Sequence, residues 1–152
     1  MRLLRTGNRH RLSYRSPGLL FLLLTAIVPA AAAEIDAADR HAIQSVISRQ
    51  IEAFRQDDGE TAFSFASPTI RGMFGTAEVF MAMVRQSYRP VYRPREVRFG
   101  QLLTRRALPT QRVILVGPDQ EVVIALYEMQ RQPNGDWKIN GCYLLAADEK
   151  AT

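Results

Sequence analysis

Apolar residues recur at helical spacing in the first half of this chain and at alternating spacing in the second. Ile43, Val46, Ile47, Ile51 and Phe54 form one stripe, with Arg40, Gln44, Arg49 and Gln56 on other faces, which predicts a first helix over 36–58. Asp36 or Asp39 caps it, and Asp57-Asp58-Gly59 ends it with residues that tolerate a left-handed turn. A short helix over 60–66 carries Phe63. Ser67-Pro68 then reads as a cap with proline in the first helical position, opening a turn through Ile70, Arg71 and Phe74 that stops at Gly75. Thr76 caps a third helix, from 77 to about 88, with Val79, Phe80, Met83 and Val84 inward. A proline-broken connector over 88–94 repeats the triplet Tyr-Arg-Pro. Strands follow at 95–103, where Val97 and Phe99 alternate with Glu96 and Arg98, and at 111–116, before a turn at Gly117-Pro118-Asp119. Three helices followed by a four-stranded, mainly antiparallel sheet make the expected fold class α+β.

The last two strands form a hairpin over 120–146, closed at Pro133-Asn134-Gly135. A two-residue Asn-Gly loop would oppose Arg131 and Lys138, an unfavourable pair of like charges. A type I turn with Gly135 as a left-handed bulge instead pairs Gln132 with Asp136. Carried along the strands, that register sets Arg131 beside Trp137, Met129 beside Ile139, Tyr127 beside Gly141, Ala125 beside Tyr143 and Val123 beside Leu145. The other face pairs Gln130 with Lys138, Glu128 with Asn140, Leu126 with Cys142 and Ile124 with Leu144. Tyr127 and Tyr143 then share the more apolar face. Both faces want cover, so the helices take one, and a second protomer or a curled sheet edge takes part of the other.

Residues 1–33 change the charge picture. Five arginines lead a short apolar core over 18–28, and Ala31-Ala32-Ala33 follows, the layout of a secretory signal peptide. The apolar run is shorter than the ~20 residues of a membrane span, so an uncleaved anchor is the lesser alternative, and no cysteine follows for a lipid. The expected product is one domain over 34–152, periplasmic or secreted, not membrane-spanning once the leader is removed. The whole chain has 20 Lys+Arg against 15 Asp+Glu, but five of the arginines and none of the acids lie in the leader. The remainder is formally neutral, which removes the argument for a nucleic-acid partner. Cys142, the single cysteine, has no internal disulfide partner and reads as core filler.

The order of elements resembles the cone of nuclear-transport-factor-2-like domains, which also hosts ketosteroid isomerases and SnoaL-type cyclases. The segments 63–75 (FSFASPTIRGMFG) and 137–142 (WKINGC) resemble exported bacterial proteins of the domain-of-unknown-function family numbered 4864. That resemblance implies helices across the mouth of a curved sheet, a pocket between them, and homodimers through the sheet. It implies no reaction.

Candidate chemistry is sparse. His41 and Cys142 stand without a ligand-spaced cluster, so neither a metal nor another cofactor is expected. Isomerases of the fold use an inward acid and a tyrosine. Here the Tyr127 and Tyr143 face carries no Asp or Glu, and Glu128, opposite and near Lys138, reads as a solvated ion pair. Between residues 85 and 112 stand eight arginines (Arg85, Arg89, Arg93, Arg95, Arg98, Arg105, Arg106, Arg112) and one acid, Glu96. They suit an anionic envelope component, or else they pair with Asp57, Asp58, Glu60 and Glu52 within the fold or across a dimer. The favoured expectation is a non-catalytic module that binds a small ligand or a protein at the cone, with Arg71, Tyr88, Tyr127 and Tyr143 as candidate pocket residues. An envelope-surface binder using the arginines and an acid–base pocket enzyme are the alternatives.

Overall fold

The computed structural model describes residues 35–147; the expected leader lies outside them. Five helical segments precede the strands: α1 (Ala37–Arg55), α2 (Gly59–Ser64), α3 (Pro68–Phe74), α4 (Ala77–Ser87) and α5 (Arg89–Tyr92). The strands β1 (Glu96–Arg105), β2 (Leu108–Val116), β3 (Val122–Arg131) and β4 (Trp137–Ala146) form one antiparallel sheet in the order β1-β2-β3-β4. The class is α+β. The expected count of three helices becomes five, because Pro68 to Phe74 completes a helix and the connector folds a further turn at Arg89–Tyr92.

Side-chain caps set the helix starts. Asp36 accepts from Asp39 N at 2.7 Å, Asp58 from Thr61 N at 3.1 Å, Ser67 from Ile70 N at 3.3 Å and Thr76 from Val79 N at 3.3 Å. Each such cap stabilises by about 1 kcal/mol. Gly59 lets α2 approach α4, since a Cβ there would stand 2.8 Å from Met81 Cγ. Ile43, Ile47, Ile51 and Phe54 of α1 are buried, as are Phe80, Met81 and Val84 of α4. Val79, expected inward, is 53 % exposed, because Ala77 and Met81 occupy the buried stripe of α4.

The helix-covered face of the sheet presents Val113, Leu115, Ala125, Tyr127, Met129, Trp137 and Ile139 to the core. The turn at 133–135 is as expected: Gly135 has φ +90, and Gln132 N donates to Asp136 O at 2.7 Å. Arg131–Trp137, Gln130–Lys138 and Met129–Ile139 pair as expected. Beyond them the register departs. A second bulge places Glu128 opposite Gly141, Tyr127 opposite Cys142, Leu126 opposite Tyr143, Ala125 opposite Leu144, Ile124 opposite Leu145 and Val123 opposite Ala146. Asn140 is the extra residue, and every later side chain of β4 changes face. Tyr143 therefore lies on the face opposite Tyr127.

The cause of the second bulge lies outside the hairpin. Ile139 N donates to Phe65 O at 2.9 Å and Ser67 N donates to Ile139 O at 2.8 Å, so residues 65–67 cap the outer edge of β4. The Asn140 amide turns to Ser67. Gly141 leaves room on the far face, where a Cβ would stand 3.5 Å from both Glu128 Oε2 and Tyr143 Cε2. The expected ion pair of Glu128 and Lys138 is absent among the described residues, because Lys138 Nζ donates to Ser64 O at 2.8 Å. At the other hairpin the strands run further than expected, joined by Arg106 and Ala107 at φ +49 and +64.

Candidate functional site

A cavity of about 560 Å³ opens between the helices and the β4 side of the sheet. Ile70, Phe74, Phe80, Met83, Val84 and Val91 line it from the helices, and Tyr127, Ile139, Cys142 and Tyr143 from the hairpin. Phe80 organises the helical wall, with ring centroids 6.0 Å from Phe54, 5.3 Å from Phe63 and 5.6 Å from Phe74. Polar groups reach the cavity from Gln50, Ser87, Tyr88 and Asn140, and among the described residues no Asp, Glu, His, Lys or Arg lines it. A mainly apolar lining with a few neutral polar groups is what small-molecule sites commonly show.

Two ionisable side chains in the wall are held neutral. Burial pushes the Cys142 thiol up to about 12, with the Tyr127 hydroxyl pulling slightly the other way. The Tyr127 hydroxyl is itself raised well above its ordinary value, by burial first and by Cys142 second. That hydroxyl is fully enclosed and has no hydrogen-bond partner of good geometry among the described residues. Tyr88 is raised by burial and donates to Cys142 O at 3.0 Å, tying the end of α4 to the edge strand. Burial disfavours the anionic form of each of these groups.

The structure brings together three of the four expected pocket residues, Tyr88, Tyr127 and Tyr143. Tyr143 is 45 % exposed and reaches the cavity from the edge strand. Arg71 is exposed, its guanidinium 5.5 Å from the Phe63 ring centroid, and it is not among the lining residues. Sequence reasoning missed Gln50 and Asn140. Gln50 was hidden because a glutamine on a helix carries no signal of burial, and Asn140 because the bulge that re-aims it depends on residues 65–67.

The arginine stretch divides. Arg85 Nη2 lies 3.3 Å from Asp57 Oδ1 and Arg93 Nη2 lies 2.6 Å from Asp57 Oδ2, while the Tyr92 hydroxyl also donates to Asp57. The Tyr92 hydrogen bond, followed by the two arginines, holds the Asp57 carboxyl below its ordinary value. Arg89 approaches Asp119 at 3.9 Å. Arg95, Arg98, Arg105, Arg106 and Arg112 make no ion pair among the described residues. Of the other acids expected as partners, Glu52 pairs with Arg55 and Asp58 caps α2. His41 is exposed on α1. Among the described residues no group of three or more His, Cys, Asp or Glu is placed to hold a metal ion, and no helix is long and apolar enough to cross a membrane.

Fold and cavity together define an α+β domain with helices over one face of an antiparallel meander and a neutral, apolar hollow beneath them. The chain belongs to the family described as "Domain of unknown function (DUF4864)", whose match spans residues 36–152. Among curated proteins and solved structures, none matches it.

Proposed function

We propose that this is an exported, non-catalytic binding domain that holds a small, uncharged, mainly apolar molecule in the hollow between helices and sheet. The carrying observation is the lining: about 560 Å³ of space walled by aliphatic and aromatic side chains, with only neutral polar groups among the described lining residues. A charged ligand would lose its hydration there without gaining an opposite charge. Raised Tyr127 and Cys142 support a role in binding rather than in proton transfer. In this proposal the helices sit on the sheet as in nuclear-transport-factor-2-like cones. Support for that comes from the meander order and from the two strand bulges, at Phe99/Leu102 and at Glu128/Met129, which bend the sheet. Copies of the domain pair through the sheet face turned away from the helices, where Val122 and Tyr143 are 43 % and 45 % exposed at the margins of the buried Ile124 and Leu126.

The direct test is a fluorescence titration of the neutral probe N-phenyl-1-naphthylamine into the protein. Saturable binding is expected. It should be abolished by Ser87→Phe, which sets a ring on an exposed lining position. Binding unchanged in that variant, or none in the wild type, contradicts the proposal.

A further inference from the structure

Two amide side chains in the cavity wall are held in fixed orientations, each with one polar atom left over. Gln50 is 3 % exposed, and its Nε2 donates to Ala62 O at 3.1 Å, which assigns the remaining Oε1 as an acceptor. Asn140 accepts from Ser67 Oγ at 2.8 Å through Oδ1, which leaves Nδ2 as a donor. Ser67 enforces that choice. It is fully buried, its Oγ already accepts from Ile70 N, and its hydroxyl proton therefore needs an acceptor, which Asn140 Oδ1 provides.

Neither left-over atom has a hydrogen-bond partner among the described residues. Nor is either sealed in: the enclosed, unpartnered side-chain atoms are Gln111 Oε1 and the Tyr127 hydroxyl. Both residues line the same cavity, so open space next to these atoms is available to a ligand. Both amides are anchored on one segment of the chain, Gln50 at Ala62 and Asn140 at Ser67.

Resting on the binding role proposed above, we propose that the cavity selects a neutral molecule with an apolar body and a head carrying one acceptor and one donor. The acceptor meets Asn140 Nδ2 and the donor meets Gln50 Oε1. A carboxamide or lactam is the simplest such head, since its C=O and N–H are separate and both uncharged. A carboxylate of the same length has no proton to offer Gln50 and meets no cation among the described lining residues. A nitrile of that length satisfies only Asn140.

The test is displacement of bound N-phenyl-1-naphthylamine by decanamide, decanenitrile and decanoate at pH 7.4. Decanamide is expected to displace the probe at about tenfold lower concentration than either of the others, as one extra buried hydrogen bond would give. Asn140→Asp keeps the acceptor for Ser67 but removes the donor that the nitrile also uses, and it should weaken displacement by decanenitrile about tenfold while probe binding persists. Gln50→Leu removes the acceptor that only the amide uses, and it should reduce the gap between amide and nitrile to about twofold or less, with circular dichroism confirming that the variant is folded. Equal potency of amide and nitrile, strongest displacement by decanoate, a gap that survives Gln50→Leu, or a nitrile unaffected by Asn140→Asp overturns the selectivity while leaving the binding role intact. Failure of the probe itself to bind defeats the binding role instead.

Discussion

The connector between helices and sheet serves two regions of opposite character. Towards the cavity, Tyr88 and Val91 join an enclosed, uncharged wall. Towards solvent, Arg85, Tyr92 and Arg93 converge on Asp57 at an exposed ionic corner. Guanidinium carbons lie 5.7 and 5.1 Å from the Tyr92 ring centroid there. The two regions are stabilised by different physics. Burial of apolar surface dominates in the first; in the second, charges remain hydrated and screened, so their pairing adds little. A cluster of arginines in a sequence thus does not by itself locate a binding surface, since part of this one closes on the protein's own carboxylate.

That contrast is open to attack from both sides. The largest effect expected is chemical. Half-buried, and with its thiol pushed up by desolvation, Cys142 should hold far less thiolate than an exposed cysteine near neutral pH. Iodoacetamide labelling at pH 8 should therefore be slow in the native protein and fast in urea, and rapid native labelling would mean that the wall is open. Next comes packing. Phe80→Ala removes the ring shared by Phe54, Phe63 and Phe74 and should destabilise the domain by about 3–5 kcal/mol in urea unfolding. A loss below about 1 kcal/mol would show that the aromatic wall is not part of the core.

The smallest effect belongs to the ionic corner. Asp57→Asn tolerates the same positive φ and isolates the charge. Because the folded carboxyl sits below its ordinary 3.8, the stability it contributes is present above that pH and lost as the pH falls below it. Wild type and Asp57→Asn should differ slightly in thermal stability at pH 7 and converge towards pH 3. A gap that persists in acid would assign the effect to backbone geometry instead.

Helical periodicity and caps make α1 and α4 legible in the sequence, and Pro133-Asn134-Gly135 makes the turn and the first pairs of the last hairpin legible too. What escaped depends on contacts between distant segments. The bulge at Asn140 arises from residues 65–67 bonding to Ile139, and no local pattern in β4 announces it. Tyr143 was placed on the wrong face for that reason alone. The β1–β2 hairpin was hidden differently: its tight turn uses Arg106 and Ala107 at positive φ, where Asn and Gly are the usual residues. Of the site, the tyrosines were visible as aromatic residues near strands, whereas Gln50 and Asn140 gain meaning only once the segment from Ala62 to Ser67 is seen to orient them.

The most direct test of the central claim is a titration of the isotopically labelled protein with decanamide, followed by amide chemical shifts. The account predicts perturbations concentrated at Gln50, Ala66, Tyr88, Tyr127, Asn140 and Cys142, with the amides of Asp57 and Arg93 unmoved. Perturbations centred on the Asp57 corner or on the sheet face turned away from the helices, or none at all, would contradict it.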